Sequence, residues 1–181
     1  MALAWKRLTG DDPHEAGLAL LEQLYGGTLP PILRTPQGKP YFPESDLHFS
    51  ISHTPRHVFC VLTDRPVGLD AEECDRPVQP ALARKFLSPG EFARYEAAPD
   101  KQACLLRLWV LKESYAKLTG RGIGNYLKNT DFHPDDPRIQ IIDGCYGDFP
   151  EKPAGVCDRR GGKQTPDNQG FVGSFYVVFL G

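Results

Sequence analysis

The sequence predicts an α+β fold, and three observations lead to that prediction. Its 181 residues are enough for one domain or two small half-domains with a buried core. Residues 47–52 alternate apolar with polar side chains, and residues 57–63 are almost continuously apolar, which is typical of strands. Residues 13–25 and 101–118 instead predict helices, the second of them long.

The N-terminal part is predicted to begin with the helix over 13–25. Asp11 or Asp12 precedes this helix as a candidate N-cap. Its apolar stripe consists of Ala16, Leu20 and Leu24. Residues 26–43 are rich in Gly and Pro and predict a loop. A half-buried strand over 47–52 and a central strand over 57–63 then follow.

A third strand, predicted over residues 67–72, carries acidic side chains. One face holds Val67, Leu69 and Ala71, and the other holds Gly68, Asp70 and Glu72. Residues two apart on a strand point the same way and are separated by about 6.6 Å. Both carboxylates can therefore converge on one ion.

Helices dominate the next part of the chain. A short helix is predicted to end at Leu87, and Ser88, Pro89 and Glu91 form the start signal of another. The long helix is apolar almost all round its middle, which indicates burial, and Gly120 ends it. Two further strands are predicted, over 138–142 and 171–180, with a loop between them.

Four side chains of the long helix are predicted to share one face because of their spacing: Trp109, Lys112, Glu113 and Lys117. Charged groups at the edge of a core are costly unless they have partners. The competing interpretation is a weak surface ion pair between Glu113 and Lys117, four residues apart.

Composition excludes several classes of function. The net charge of −2 gives no general reason to expect binding to nucleic acid, and no apolar run reaches the roughly 18–20 residues of a membrane span. The N-terminus lacks the apolar core of a signal peptide, so a cytoplasmic location is expected. The five cysteines form no C-x-x-C pair and are expected to be structural thiols.

Positive charge is concentrated in residues 76–128, which hold ten basic and four acidic side chains, a balance of +6. Such a segment suits a polyphosphate ligand or an acidic protein partner, although a mixed solvated surface explains it equally well.

Three carboxylates, Asp70, Glu72 and Glu113, are candidate metal ligands, because Mg²⁺ prefers hard oxygen donors. By spacing alone, solvated acids explain them better than a metal site does. Ser52 and His53, at a strand end, are candidate phosphate ligands.

Five separated motifs occur in order along the chain: Gly38-Lys39-Pro40, Phe49-Ser50-Ile51-Ser52-His53-Thr54, Val67-Gly68-Leu69-Asp70-Ala71-Glu72, Phe86-Leu87-Ser88-x-x-Glu91, and Trp109-x-x-Lys112-Glu113-Ser114-x-x-Lys117 with Gly120-x-Gly122. Together they resemble the 4′-phosphopantetheinyl transferases of the surfactin-synthetase-activating (Sfp) type. The resemblance covers residues 33–123, about half of the chain.

The resemblance implies a fold of two α/β half-domains related by a pseudo-twofold axis, with the active site between them and the N-terminal half shortened. We assign the half-domains to residues 1–75 and 76–181. The family transfers the phosphopantetheine arm of coenzyme A to a serine of an acyl or peptidyl carrier protein and releases 3′,5′-ADP. Mg²⁺ (with Mn²⁺ as an alternative), coenzyme A and an apo carrier protein are therefore expected.

The resemblance also implies residue roles. Asp70, Glu72 and Glu113 would hold Mg²⁺, and Glu113 would take the proton from the carrier serine, directly or through a water. Lys117 would neutralise the phosphate at which the bond breaks. The implied cofactor-binding set is Lys39, Pro40, Ser52, His53, Lys112 and Lys117, with Lys112 supporting the site.

The sequence departs from the family near its start, where the first helix begins at about Pro13 without an arginine. This leaves open a non-catalytic relative that binds coenzyme A or a carrier protein without transfer. A more distant alternative is a metal-dependent phosphohydrolase. Because one chain would contain both half-sites, a monomer is expected, and the short N-terminal half leaves room for a dimer.

Overall fold

The computed structural model of the protein describes residues 1–133, 139–145 and 174–180. The strands are β1 (Ala2–Arg7), β2 (Leu33–Arg34), β3 (Pro40–Tyr41), β4 (His48–His53), β5 (His57–Thr63), β6 (Gly68–Glu73), β7 (Ile139–Cys145) and β8 (Ser174–Leu180). The α-helices are α1 (Pro13–Tyr25), α2 (Pro80–Phe86), α3 (Pro89–Ala97) and α4 (Lys101–Thr119), and a 3₁₀ helix spans Asn125–Asn129. Most of the loop predicted between the last two strands lies outside the described residues.

The predicted helix ends are confirmed by their caps. Asp12 accepts a hydrogen bond from the Glu15 amide at 2.9 Å and begins α1. At the start of α3, Ser88 and Glu91 form a reciprocal capping box. Helix α4 ends at Gly120, which has a φ of 70°. Glycine adopts this left-handed conformation with little steric strain.

The two main sheets repeat one order of elements. In the first sheet β5 lies between β1 and β4, and in the second β8 lies between β6 and β7, with all pairs antiparallel. Helix α1 packs on the first sheet, and α4 packs on β6 and β8 of the second. Each sheet is therefore built from a strand, a main helix and two more strands, and the last strand is central.

Sheet β1-β5-β4 is covered on both faces. Every residue of β5 is buried, as its apolar run predicts. One face packs on α1; the other, through Phe59 and Val61, packs on Leu69 and Ala71 of β6. The acidic strand is thus held against the first sheet while it pairs with β8.

The structure also contains elements that the sequence analysis does not predict. Strand β1 pairs with β5, and the short hairpin of β2 and β3 lies inside the predicted loop over 26–43. The boundary between residues 75 and 76 stays a prediction; the ladder from β6 to β8 favours a boundary before Gly68. Among the helices of the described ranges, none is long and apolar enough to cross a membrane.

Among the described cysteines, Cys60 is buried in the core. Cys60 and Cys104 are free thiols. Burial raises the pKa of Cys60 to about 12, so this thiol is a small apolar side chain of the core.

Replacing Gly68 by alanine should destabilise the protein by at least about 2 kcal/mol, because overpacking of this kind costs about 1–3 kcal/mol or more. A Cβ atom at this position would lie 1.9 Å from the Ser114 carbonyl oxygen and 2.5 Å from the Leu118 amide nitrogen. Both are backbone atoms of α4, so the helix itself would have to move. Urea unfolding monitored by circular dichroism measures the change.

Gly27→Ala is the matched control, since a Cβ there meets nothing within 4 Å. We expect its free energy of unfolding to change by less than about 0.5 kcal/mol. Equal stability of the two variants would contradict the close approach of β6 and α4.

Candidate active site

The acidic strand β6 lies against α4, and its predicted alternation is confirmed. Leu69 and Ala71 point into the core shared with the first sheet. Asp70 points the other way, where Lys117 of α4 reaches it. The absence of a side chain at Gly68 lets helix and strand approach closely, so side chains of α4 lie within bonding distance of a β6 carboxylate.

Asp70 is held by two side chains from other elements. Its Oδ1 accepts hydrogen bonds from Ser52 Oγ at 2.9 Å and from Lys117 Nζ at 2.7 Å. Lys117 Nζ also donates to Ser52 Oγ at 2.9 Å. The Asp70 side chain is only 8% exposed, whereas that of Lys117 is 34% exposed. The structure therefore brings together three of the predicted site residues, one each from β4, β6 and α4.

The second oxygen of Asp70 fits a site for a hard cation. Asp70 Oδ2 is buried and has no hydrogen-bond partner among the described residues, which is costly for a carboxylate. Burial raises the pKa of Glu113, and the nearby Asp70 charge raises it further, while Lys117 and Arg76 act in the opposite direction. A divalent cation would satisfy the free oxygen and offset the repulsion between the two carboxylates.

Glu72, the third predicted ligand, is turned towards a different partner. Its Oε1 forms an ion pair with Arg76 Nη1, four residues further along the chain. In the part of the chain that the structure describes, no three His, Cys, Asp or Glu side chains are close enough together to hold a metal ion. The set of Asp70, Glu72 and Glu113 therefore stays a prediction, in which Glu72 must change partners.

Lys39 ties the hairpin of β2 and β3 to the end of α4. Its Nζ donates to the Leu118 carbonyl at 2.6 Å, and its side chain lies against Gly120. Burial lowers the pKa of Lys39. Pro40, in the same hairpin, is half-buried, and His53 is exposed at the end of β4. The cofactor contacts implied for Lys39, Pro40 and His53 remain predictions.

Lys112 lies away from this group of residues. Its side chain is completely buried, and its Nζ forms an ion pair with Glu91 at 2.7 Å. The ammonium also donates to the carbonyl oxygens of Leu127, at 2.6 Å, and Thr130. Burial lowers the pKa of Lys112, and Glu91 acts against that shift. A completely buried ammonium offers no surface to a ligand, so this arrangement does not favour the implied cofactor contact.

The prediction that Lys112 shares one face with Glu113 and Lys117 is wrong. Consecutive residues of a helix point about 100° apart, so Lys112 and Glu113 diverge. Lys117 contacts Asp70, whereas Lys112 turns to the segment after α4. Lys112 of α4 therefore binds the segment that follows the helix, whereas Lys117 of the same helix contacts the acidic site.

The sequence analysis misses two residues that shape the site. Ser50 Oγ accepts a hydrogen bond from the Leu69 amide at 3.0 Å, just as Ser52 Oγ accepts one from the Ala71 amide at 3.3 Å. The signal available was the Ser-x-Ser spacing, which puts both hydroxyls on one face of β4. The second residue is Arg76, which the sequence analysis treats only as one positive charge of a basic segment. Its contact with Glu72 appears only in the structure.

Replacing Ser52 by alanine should lower the free energy of unfolding by about 1–3 kcal/mol, because partners in a buried site lose their hydrogen bonds. Ser52 Oγ contacts Asp70, Ala71 and Lys117. Ser50→Ala is the control and should cost less, since the structure gives Ser50 Oγ only the Leu69 amide within the described residues. Chemical denaturation of both variants tests the order, and an equal or larger cost for Ser50→Ala would contradict it.

Comparison with known proteins assigns this fold and site to a family. The model of the 4′-phosphopantetheinyl transferase superfamily matches residues 66–157, which include β6, α4 and the carboxylates Asp70 and Glu113. The chain belongs to the 4′-phosphopantetheinyl transferase superfamily.

Individual relatives agree with this assignment. The chain is 39% identical over 108 residues to a 4′-phosphopantetheinyl transferase of Bacillus subtilis, covering 58% of this chain and 48% of the relative. It is 32% identical over 107 residues to a 4′-phosphopantetheinyl transferase of Aneurinibacillus migulanus, covering 58% of this chain and 44% of that relative. A holo-[acyl-carrier-protein] synthase of Limosilactobacillus reuteri is 35% identical over 88 residues, covering 45% and 68%. The chain thus spans less than half the length of the first two relatives.

Proposed function

We propose that the protein transfers the 4′-phosphopantetheine arm of coenzyme A to a serine of an apo acyl or peptidyl carrier protein, with Mg²⁺, and releases 3′,5′-ADP. The observation that carries the proposal is the group of Asp70, Lys117 and Glu113 between β6 and α4. It combines a buried carboxylate oxygen that no described residue hydrogen-bonds, a second carboxylate and a half-buried ammonium. Membership of the superfamily supports it.

The proposed reaction is an attack of the carrier serine hydroxyl on the phosphorus that bears the pantetheine arm. The new bond joins the serine oxygen to that phosphorus, and the bond to the bridging oxygen of the pyrophosphate breaks. The electron pair leaves with 3′,5′-ADP, and the serine proton passes to Glu113, directly or through a water. Atoms and charge balance with no further reactant.

Glu113 suits the role of base because of its environment. Burial and the Asp70 charge raise its pKa, so it holds a proton more readily than an exposed glutamate does. A general base works best when its pKa approaches the working pH. The cations Lys117 and Arg76 act against this rise in pKa and so favour the ionised form that a base needs.

Lys117 suits the stabilisation of the transferring phosphate. Its Nζ is held by Asp70 Oδ1 and Ser52 Oγ, and the side chain keeps a third of its surface exposed. An ammonium fixed in this way offers its charge to phosphate oxygens without reorganising. A bound Mg²⁺ would supply further positive charge for the pyrophosphate oxygens, held by Asp70, Glu113 and Glu72.

Two cavities on the helical side support docking of an acidic carrier protein. One, of about 430 Å³, combines the cations Arg84 and Lys128 with the apolar side chains of Leu87 and Phe92. The other, of about 290 Å³, is lined by Arg76, Pro77, Val78, Gln79, Leu82 and Trp109 and so begins beside Glu72. The second cavity, which adjoins Glu72 through Arg76, suits a partner that brings its serine to Glu113, and the first adds positive and apolar surface to the same helical side.

We also propose that the two sheets are the pseudo-twofold half-domains of the family, in a monomer with the active site at their junction. The repeated order of a strand, a main helix and two strands supports this. Ser52 from the first sheet and Asp70 from the second meet at the site, as a shared site requires.

Incubation of the protein with coenzyme A, Mg²⁺ and an apo acyl carrier protein, followed by mass spectrometry, tests the function. The carrier should gain the mass of one phosphopantetheine group, and the gain should be lost when EDTA is added. A carrier whose serine is replaced by alanine is the control. Unchanged carrier mass with acyl and peptidyl carriers alike, while coenzyme A still binds, would instead support the non-catalytic relative.

A further inference from the structure

Arg76 stands directly at the end of the acidic strand. Its amide donates to the Glu73 carbonyl at 3.0 Å, which closes the turn after β6. This turn brings the guanidinium back to Glu72, where Nη1 pairs with Oε1. The Glu72 side chain is only 13% exposed, whereas that of Arg76 is 47% exposed. A mostly buried carboxylate is thus neutralised by a cation that stays in contact with water.

The same guanidinium acts on a second carboxylate of the site. The Arg76 charge lowers the pKa of Glu113, as the Lys117 charge does. Lys117 in turn pairs directly with Asp70. Two cations of the chain therefore face three carboxylates, which leaves one negative charge without a counter-ion. In addition, Asp70 Oδ2 has no hydrogen-bond partner among the described residues.

We propose that Arg76 is the internal counter-ion of this carboxylate site, which holds Glu72 away from its metal-binding position until a divalent cation displaces it. The proposal rests on the proposed function in one respect, namely that Asp70, Glu72 and Glu113 hold the metal. Glu72 contacts Arg76, while Asp70 lies close enough to Glu113 for its charge to raise the pKa of Glu113.

The consequence is a competition between Arg76 and the metal for Glu72. A ligand that binds only one of two arrangements has its affinity reduced by the fraction of molecules in the other. Removing the guanidinium therefore tightens metal binding, and the size of the effect follows the strength of the ion pair. For a partly exposed ion pair we expect the Kd to fall about two- to fivefold, which corresponds to the free energy of such a pair.

The test is a titration with Mn²⁺ alone, in which free Mn²⁺ is counted by electron paramagnetic resonance without coenzyme A or carrier protein. Arg76→Gln should lower the Kd for Mn²⁺ about two- to fivefold relative to the unmodified chain. Arg76→Lys should remain near the unmodified value, because a cation still faces Glu72. Mn²⁺ should also raise the melting temperature of Arg76→Gln more than that of the unmodified chain.

Arg65→Gln is the matched control, since Arg65 is exposed in the turn before β6, at the opposite end of the strand. Its Kd for Mn²⁺ should not change. An unchanged or higher Kd for Arg76→Gln would overturn the proposal, as would equal tightening in Arg65→Gln. Equal Mn²⁺ binding by Asp70→Asn would also overturn it, because the metal would then lie elsewhere. Carrier modification, measured separately, decides the proposed function whatever Arg76 does.

Discussion

Glu113→Gln should reduce the rate of carrier modification by about 10²–10³-fold, the usual cost of losing one well-placed electrostatic group. Glutamine has nearly the same shape as glutamate and can be buried in the same place. Its amide, however, can neither take the proton of the carrier serine nor offer a charged ligand to a metal ion. The proposed function gives Glu113 both tasks, so their losses combine in one variant. Mass spectrometry of the carrier over time gives the rate.

The stability of the same variant should not fall. Burial and Asp70 raise the pKa of Glu113, so ionised Glu113 destabilises the fold at pH values above its ordinary pKa. Removing the charge therefore leaves the melting temperature unchanged or raises it. Activity that falls while stability is kept separates a catalytic role from a structural one.

Glu22→Gln is the control for this experiment, because Glu22 is exposed on α1. It should leave both the rate and the melting temperature unchanged. If Glu113→Gln modified the carrier as fast as the unmodified chain, the roles of base and metal ligand would both be wrong. If it failed to fold, the interpretation of its charge as destabilising would be wrong.

Lys112→Met should lower the free energy of unfolding by about 3–5 kcal/mol, because breaking a buried ion pair leaves one charge without compensation. Glu91 and Lys112 are both fully buried, and their charged atoms are 2.7 Å apart. Glu91 has other partners, namely the amides of Ser88 and Phe132, but neither supplies a positive charge. Urea unfolding gives the change.

The double variant Glu91→Gln with Lys112→Met should be more stable than Lys112→Met alone. Glutamine keeps an acceptor for the Phe132 amide but carries no charge, so the buried anion is gone. Lys128→Met, on the exposed surface, is the control and should cost less than about 0.5 kcal/mol. A cost for Lys112→Met as small as that of the control would contradict the buried pair.

Local signals in the sequence predict most helix and strand positions correctly. The capping box at Ser88, the stop at Gly120 and the apolar run of β5 each depend on residues close together in the chain, and each is confirmed. Strand β1 has no such signal. Its six residues do not alternate clearly between apolar and polar side chains. They form a strand because they pair with β5, which lies fifty or more residues later in the chain.

The candidate site shows the same limit. Spacing on β6 correctly predicts that Asp70 faces away from the core, and the resemblance to the family singles out Lys117, which the structure places against Asp70. Spacing could have shown that Lys112 and Glu113 diverge, but it could not identify the partners of Lys112, which are Glu91 and a carbonyl of a later segment. Nor could it pair Glu72 with Arg76, since that contact depends on the turn after β6.

The pairing of β6 with β8 has a consequence for synthesis on the ribosome. Gly68 pairs with Leu180, so the acidic strand gains its hydrogen-bonded neighbour only after more than a hundred further residues have been translated. The sheet of β1, β5 and β4 is complete by His57–Thr63 and can form while the rest is still being made. Contacts between distant parts of a chain form slowly. The nascent chain can therefore form its first sheet early, whereas β6 gains its neighbour only after Ser174–Leu180 has been synthesised.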